Sequence, residues 1–176
     1  MNKFNIDTRD IAEAAAKLRA GDKVFLSGTI YTARDAAHKL IFSLLDKGDP
    51  LPFEIKDACI YYAGPTPAPP GLPIGSCGPT TSSRMDKFTP RLLDLGVKCM
   101  IGKGGRSKEV VEAIVRNQAV YLCAIGGAGA LAAKCVRSAE VIAFPELGCE
   151  SIKRLQIEEF PLFTAIDCGG GSLFEE

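Results

Sequence analysis

Three positive side chains, Arg34, Arg84 and Lys103, stand where the local sequence could hold an anion. Arg84 lies in the stretch 75–86, GSCGPTTSSRMD, built from glycine, proline, threonine and serine around one arginine and one aspartate. Gly78-Pro79 sets a turn, because glycine tolerates positive φ and proline fixes its own. The hydroxyl residues that follow can open a helix and leave backbone N–H groups unpaired. Such donors beside an arginine suit a small carboxylate or phosphate. A capped loop with its arginine in solvent fits the same residues equally well.

Arg34 and His38 are four apart on one helical pattern and share a face. Arg34 follows TIYTA and falls near the helix start, where an anion would also meet N–H donors. The competing reading pairs it with Asp35 or another acid. His38 is the sole histidine and reads as a satisfied hydrogen-bond partner rather than an acid–base group. Lys103, in Gly102-Lys103-Gly104-Gly105, leaves a strand on a glycine-bracketed loop, where open α/β sheets place ligand contacts. The GxxxxGK[ST] spacing of a phosphate-binding loop is missing. Residues 126–129 resemble part of a dinucleotide fingerprint, but close helix-to-strand packing explains those glycines as well.

The elements that must carry these residues alternate. Asp7 or Thr8 caps a helix with Ile11, Ala14, Ala15 and Leu18 on its apolar face, ended by Gly21-Asp22. Val24-Phe25-Leu26 is a strand, followed by turn residues and a helix striped by Ala37, Leu40, Ile41, Leu44 and Leu45, closed at Gly48. Residues 58–63 form a buried strand, and a proline-rich crossing, 64–73, acts as an ordered wall. Met85, Phe88, Leu92 and Leu95 mark a helix, and 97–101 a strand. Ser107 caps a helix bearing Val110, Val111, Ile114 and Val115, and 119–125 is a strand before a short helix. Strands are expected at 140–144, 152–157 and 162–166, the last two separated by Phe160-Pro161. The alternation predicts α/β with a partly parallel sheet and an antiparallel end.

Apolar residues make up 47% and charged ones 24%, which is globular composition. Lys plus Arg equals Asp plus Glu at 21 each, so no basic excess draws the chain to nucleic acid or anionic membrane. No apolar stretch approaches a membrane span and no signal-peptide core opens the chain, so a cytoplasmic location is expected. Seven cysteines lack any C-x-x-C spacing and read as reduced structural thiols, so no metal site is expected from this chain alone.

Five strings carry a resemblance: SGTIYTARDAAHK (27–39), YYAGPTPAPPG (61–71), GPTTSSRMD (78–86), IGKGG (101–105) and ELG (146–148). In order and spread over nearly the whole chain, they resemble the β-subunit of iron–sulfur hydro-lyases, the class I fumarase and L(+)-tartrate dehydratase family. The resemblance implies one domain over 1–176, equivalent to the C-terminal domain of single-chain class I fumarases. Its fold would be a swivelling β/β/α three-layer domain with a mainly parallel central sheet and a second, smaller sheet. It also implies a 4Fe–4S cluster held by three cysteines of a partner α-subunit, with Cys77 of this chain not a ligand. Two α- and two β-subunits would assemble as a hetero-oligomer.

The activity so implied is a hydro-lyase reaction on a C4 dicarboxylate, with fumarate hydratase first and L(+)-tartrate dehydratase as the alternative. A non-catalytic carboxylate-binding subunit is the reading from another class. Arg34, Arg84 and Lys103 match positions that hold substrate carboxylates, and Thr81 is a positioning neighbour that binds substrate with them. Thr80 is nominated to exchange the proton at carbon, although a threonine hydroxyl is a poor base until something activates it. The cluster's open iron would bind the hydroxyl that leaves or attacks. His38 and Asp86 stand behind the site, Asp86 orienting Arg84 or the turn.

Overall fold

The computed structural model describes residues 1–124 and 129–174. Among them are seven strands and five helices: β1 (Lys3–Asp7), α1 (Ile11–Lys17), β2 (Lys23–Thr32), α2 (Asp35–Lys47), β3 (Cys59–Tyr61), α3 (Thr89–Leu95), β4 (Cys99–Gly102), α4 (Lys108–Arg116), β5 (Val120–Ala124), α5 (Gly129–Cys135), β6 (Val136–Ala143) and β7 (Ile152–Ile166). The glycine-rich stretch 126–129 lies outside the described residues except for Gly129, which opens α5.

β1, β2, β3, β4 and β5 pair parallel in that order. β7 runs antiparallel to β5 and β6, and also to β2 over almost its whole length. That last pairing closes β2, β3, β4, β5 and β7 into a ring of hydrogen-bonded neighbours, leaving β1 and β6 as outer flaps. All seven strands therefore belong to one mixed sheet.

The residues explain the arrangement. Every residue of β3 and β4 is buried, the pattern of parallel strands covered on both faces. Cys59, Tyr61, Cys99, Ile101, Val120 and Leu122 point into the ring, against Val24, Leu26 and Ile30 of β2 and Leu155, Phe160 and Leu162 of β7. Their alternates Ile60, Tyr62, Met100 and Tyr121 face the helices, meeting Ile41 of α2, Leu92 of α3, and Val110 and Ile114 of α4. Gly48 closes α2 in the left-handed region, and the Ser107 hydroxyl accepts from the Val110 N–H at the start of α4. No described helix is long and apolar enough to cross a membrane.

Four expectations shift. β2 continues through SGTIYT, because the residues read as a turn instead form a register shift between Leu26 and Gly28, with Gly28 at φ 115°. β7 is one strand through Pro161, which falls between the stretches paired to β6 and to β5, a break where a proline is tolerated. Asp7 caps a 3-10 turn, Thr8–Asp10, that precedes α1. Met85 ends another 3-10 turn, Ser82–Met85, and α3 starts only at Thr89.

Candidate active site

The strands β2, β3 and β4 lie side by side and end on the same edge, where ligands of parallel sheets gather. Each delivers its next residues there. Arg34 follows β2, Tyr62 to Gly64 follow β3, and Lys103 follows β4. The segment after Pro79 is laid across the ends of β3 and β4. Thr80 N donates to the Tyr62 carbonyl at 2.8 Å, and Ser82 N to the Lys103 carbonyl at 3.0 Å. Thr81 and Lys103 form a parallel bridge, and Lys103 N donates to Ser82 Oγ at 3.1 Å. Gly102 makes this approach possible, since a Cβ there would overlap Ser82 Oγ and come within 2.8 Å of the Tyr62 ring.

Thr80 Oγ1 accepts from Arg84 Nη2 at 2.7 Å, one turn further along the 3-10 segment. Arg84 also grips Asp35 at the head of α2, with Nε–Oδ1 at 3.2 Å and Nη2–Oδ2 at 3.3 Å. Burial opposes the charge on Asp35, but the Arg84 bonds outweigh it and hold the carboxyl below its ordinary pKa. The Arg84 side chain remains 44% exposed, so its grip on Asp35 leaves the guanidinium open to a ligand. Asp35 thus belongs to Arg84 and not to Arg34, contrary to the surface-pair reading.

Arg34 is the N-cap residue of α2. Its Nε is buried without a hydrogen-bond partner, and its guanidinium passes so close to Gly64 that a Cβ there would meet Nη1 at 2.6 Å. His38 Nδ1 lies 2.7 Å from the Arg34 carbonyl, an acceptor, so Nδ1 carries the proton. The imidazole is fully buried and stacks on Phe88 at 5.3 Å. Burial drives its pKa down to about 4, against the pull of the carbonyl bond. His38 is therefore a neutral anchor for the Arg34 backbone.

Asp86 does not orient Arg84. Its carboxylate takes Arg106 Nε at 2.6 Å and the Ser107 N–H at 2.7 Å, tying the 3-10 turn to the loop after β4. Arg106, unnoticed in the sequence, is the buried member of this pair. Glu150 is a second residue the sequence left unmarked. Its Oε1 accepts from Ala36 N at 3.3 Å, at the start of α2 where an outside anion was expected. The signal that could have found Arg106 is Asp86 itself, an acid in an otherwise hydroxyl-rich turn that needs a cation.

The arrangement brings Thr80, Thr81, Arg84 and Lys103 onto one strand edge, with Arg34 at the neighbouring strand end. Among the described residues neither Arg34 nor Lys103 has a carboxylate within salt-bridge distance. A cavity of about 330 Å³ lies against the proline-rich crossing, lined by Pro65, Thr66, Ile74, Cys149 and Lys153 among others, and none of Arg34, Thr80, Thr81, Arg84 and Lys103 lines it. Such an edge can hold a dianion and set a hydroxyl beside it.

The described residues do not fit an iron–sulfur cluster. A cluster needs several thiolates aimed at one point, and no group of three or more His, Cys, Asp or Glu among them converges as a ligand set. Cys59, Cys77, Cys99, Cys135 and Cys168 are buried, Cys123 is half-buried and Cys149 is exposed. Burial pushes the Cys77 thiol up to about 12, away from the thiolate a metal would take.

A family model described as "Fumarase C-terminus" matches residues 1–176. The chain is 39% identical over 175 residues to the anaerobic class I fumarate hydratase of Escherichia coli (strain K12), covering 98% of this chain and 32% of that one. It is 38% identical over 168 residues to fumarate hydratase 2 of Leishmania major, covering 94% and 30%. With the L(+)-tartrate dehydratase subunit beta of Escherichia coli (strain K12) it shares 34% identity over 170 residues, covering 94% and 83%. The chain thus spans about a third of the length of the fumarate hydratases it matches and most of the tartrate dehydratase subunit.

Proposed function

The chain belongs to the fumarase C-terminal family, and from that premise we propose that it is the β-subunit of an iron–sulfur hydro-lyase for a C4 dicarboxylate. Fumarate hydratase, interconverting fumarate and L-malate, is the first reading. It acts only with an α-subunit, in a hetero-oligomer of two of each in the cytoplasm. The whole of 1–176 serves as one swivelling β/β/α unit. The helix face and the ring face of β3–β5 support that layering. The 4Fe–4S cluster comes with the α-subunit, a reading supported by the burial of five of the seven cysteine thiols of this chain.

One observation carries the reading: the Thr80 hydroxyl accepts a short bond from the Arg84 guanidinium, on the edge where Lys103 and Arg34 also stand. A cation bonded to a hydroxyl favours its alkoxide, so Arg84 supplies the activation a threonine base lacks. Arg34, whose buried Nε has no partner, takes one substrate carboxylate in its planar fork. Lys103 and Arg84 face the other end, with Thr81 beside Lys103. When the Thr80 alkoxide, its hydroxyl proton already released to solvent, takes the proton at the carbon next to a carboxylate, it becomes the hydroxyl again and negative charge grows on that carboxylate. Cations already in place stabilise it without reorganising.

L(+)-tartrate dehydratase is the second reading, supported by the 34% identity to a tartrate dehydratase subunit beta. Both substrates are C4 dicarboxylates differing in hydroxyls. A carboxylate-binding subunit without catalysis is the third, and the Thr80–Arg84 contact speaks against it. The test is anaerobic assay of the chain with its cysteine-bearing partner on malate, tartrate and mesaconate. Hydrogen exchange at C3 of malate in deuterated water is then followed in Thr80→Ala. We expect exchange and kcat to collapse with KM little changed. Exchange at the wild-type rate, with only the melting point lowered, would assign Thr80 to structure.

A further inference from the structure

The edge is assembled from two separate segments, the 80–84 turn and the loop that starts at Lys103. Something must hold the second in register with the first. The loop cannot do so through its own side chains: Gly104 and Gly105 follow Lys103, and Gly104 sits at φ 83°, a left-handed conformation that suits glycine. The next residue is Arg106, whose side chain has 0% exposure. Its Nε donates to Asp86 Oδ1 at 2.6 Å, and its Nη2 to Thr89 Oγ1 at 2.8 Å and Tyr62 OH at 3.2 Å. Its guanidinium lies between the rings of Tyr62 and Tyr121, at 5.1 and 4.8 Å from their centroids.

Three of these partners, Asp86, Tyr62 and Tyr121, are also tied to the edge. Asp86 is the C-cap of the turn that carries Arg84. The Tyr62 carbonyl accepts from Thr80 N. The Tyr121 hydroxyl donates to the Gly104 carbonyl at 2.7 Å and lies 2.8 Å from Ser82 Oγ, which in turn accepts from Lys103 N. Burying a guanidinium is costly, and a well-packed apolar side chain could stabilise such a place as well. What an apolar residue could not do is fix three directions at once.

We propose that Arg106 is a positioning residue: anchored on Asp86, Thr89 and Tyr62, it sets Lys103 against Thr80 and Arg84. This rests on the reading of the edge as a dicarboxylate site. Arg106 touches no substrate itself. It acts through the backbone of the 103–107 loop, so its loss leaves the lysine charge in place but misdirected. Lysine at this position would keep the charge and lose the fork. A misplacement of about 1 Å can cost on the order of a hundredfold in rate.

The test uses Arg106→Lys in the chain assembled with its partner, alone and combined with Lys103→Ala. The expected loss in kcat/KM is about ten- to a hundredfold when Lys103 is present. In the Lys103→Ala background it shrinks to about threefold or less, because no lysine remains to misplace. Losses that simply multiply would overturn the proposal. So would wild-type kinetics per folded molecule, since a purely structural residue lowers the melting point and spares the active fraction. Amide exchange in the chain alone gives a readout independent of activity. Lys103 and Ser107 amides should exchange faster in Arg106→Lys while those of β5 keep their protection. Unchanged protection at Lys103 overturns the proposal even with an active complex. Inactivity of the wild-type complex on all three acids, with Lys103 exchange still accelerated, would overturn the hydro-lyase reading alone. If Arg106→Lys does not fold, Asp86→Asn removes the same anchor and carries the same expectations.

Discussion

The chain carries a single histidine, and the fold seals it between Phe88, Tyr62 and the start of α2. Burial, with a smaller contribution from the Arg106 charge, brings its pKa to about 4, while the Arg34 carbonyl and Asp35 pull the other way. In an unfolded chain the same imidazole takes up a proton near pH 6.5. Below that pH the unfolded state therefore binds more protons than the folded one, and stability falls as the pH drops. His38's contribution is intact above about pH 6.5 and is lost progressively down to about pH 4. With these two pKa values the loss is about 2 kcal/mol between about pH 7 and about pH 5. Carboxylates of an unfolded chain titrate near pH 4, so the upper part of the window belongs to His38. The assay is urea unfolding of the wild-type chain and of His38→Phe across this range. Phenylalanine keeps the stacking on Phe88, cannot take a proton and forfeits the bond to Arg34. Its curve should start lower by roughly 1 kcal/mol and then stay flat. An equal slope in both chains, or a folded-state titration of His38 near pH 6.5 by NMR, would refute the reasoning.

Arg34→Ala, Arg84→Ala and Lys103→Ala should each lower kcat/KM of the assembled enzyme by about tenfold to a few hundredfold without unfolding the chain. Wild-type kinetics for any of them removes that residue from the site. Gly102→Ala should cost about 1–3 kcal/mol, because its Cβ overlaps Ser82 Oγ and crowds the Tyr62 ring. An unchanged thermal melt would contradict the packing described. The purified chain, reconstituted anaerobically with iron and sulfide, should bind no stoichiometric cluster and turn over no malate. Iron and sulfide in defined ratio, with activity, would overturn the assignment of the cluster to the partner.

What could be read from the sequence was what local chemistry dictates. The unbroken apolar runs of β3 and β4 announce strands buried on both faces, and Ser107 and Gly48 mark their helix ends by capping chemistry. The ring closure was not legible, because β2 pairs β7 across more than a hundred residues, and nothing within either strand names the other. Ser27-Gly28 made β2 look shorter for a related reason: a turn dipeptide and a β-bulge use the same freedom of glycine.

The site divides the same way. Parallel strand order gathers the residues after β2, β3 and β4 on one edge, so Arg34, the 80–84 turn and Lys103 could be nominated from their places in the alternation and from family strings. Their ion-pair partners could not. Asp35, Asp86 and Glu150 stand near the same edge with Arg34, Arg84, Lys103 and Arg106, and a sequence does not state who takes whom. Arg84 lies 49 residues from Asp35 and Arg106 lies 20 from Asp86. That division decides the chemistry. With Asp86 committed to Arg106 and Asp35 to the exposed Arg84, Arg34 keeps an unpartnered Nε, and Thr80 receives the Arg84 bond on which the proposal of a threonine base rests.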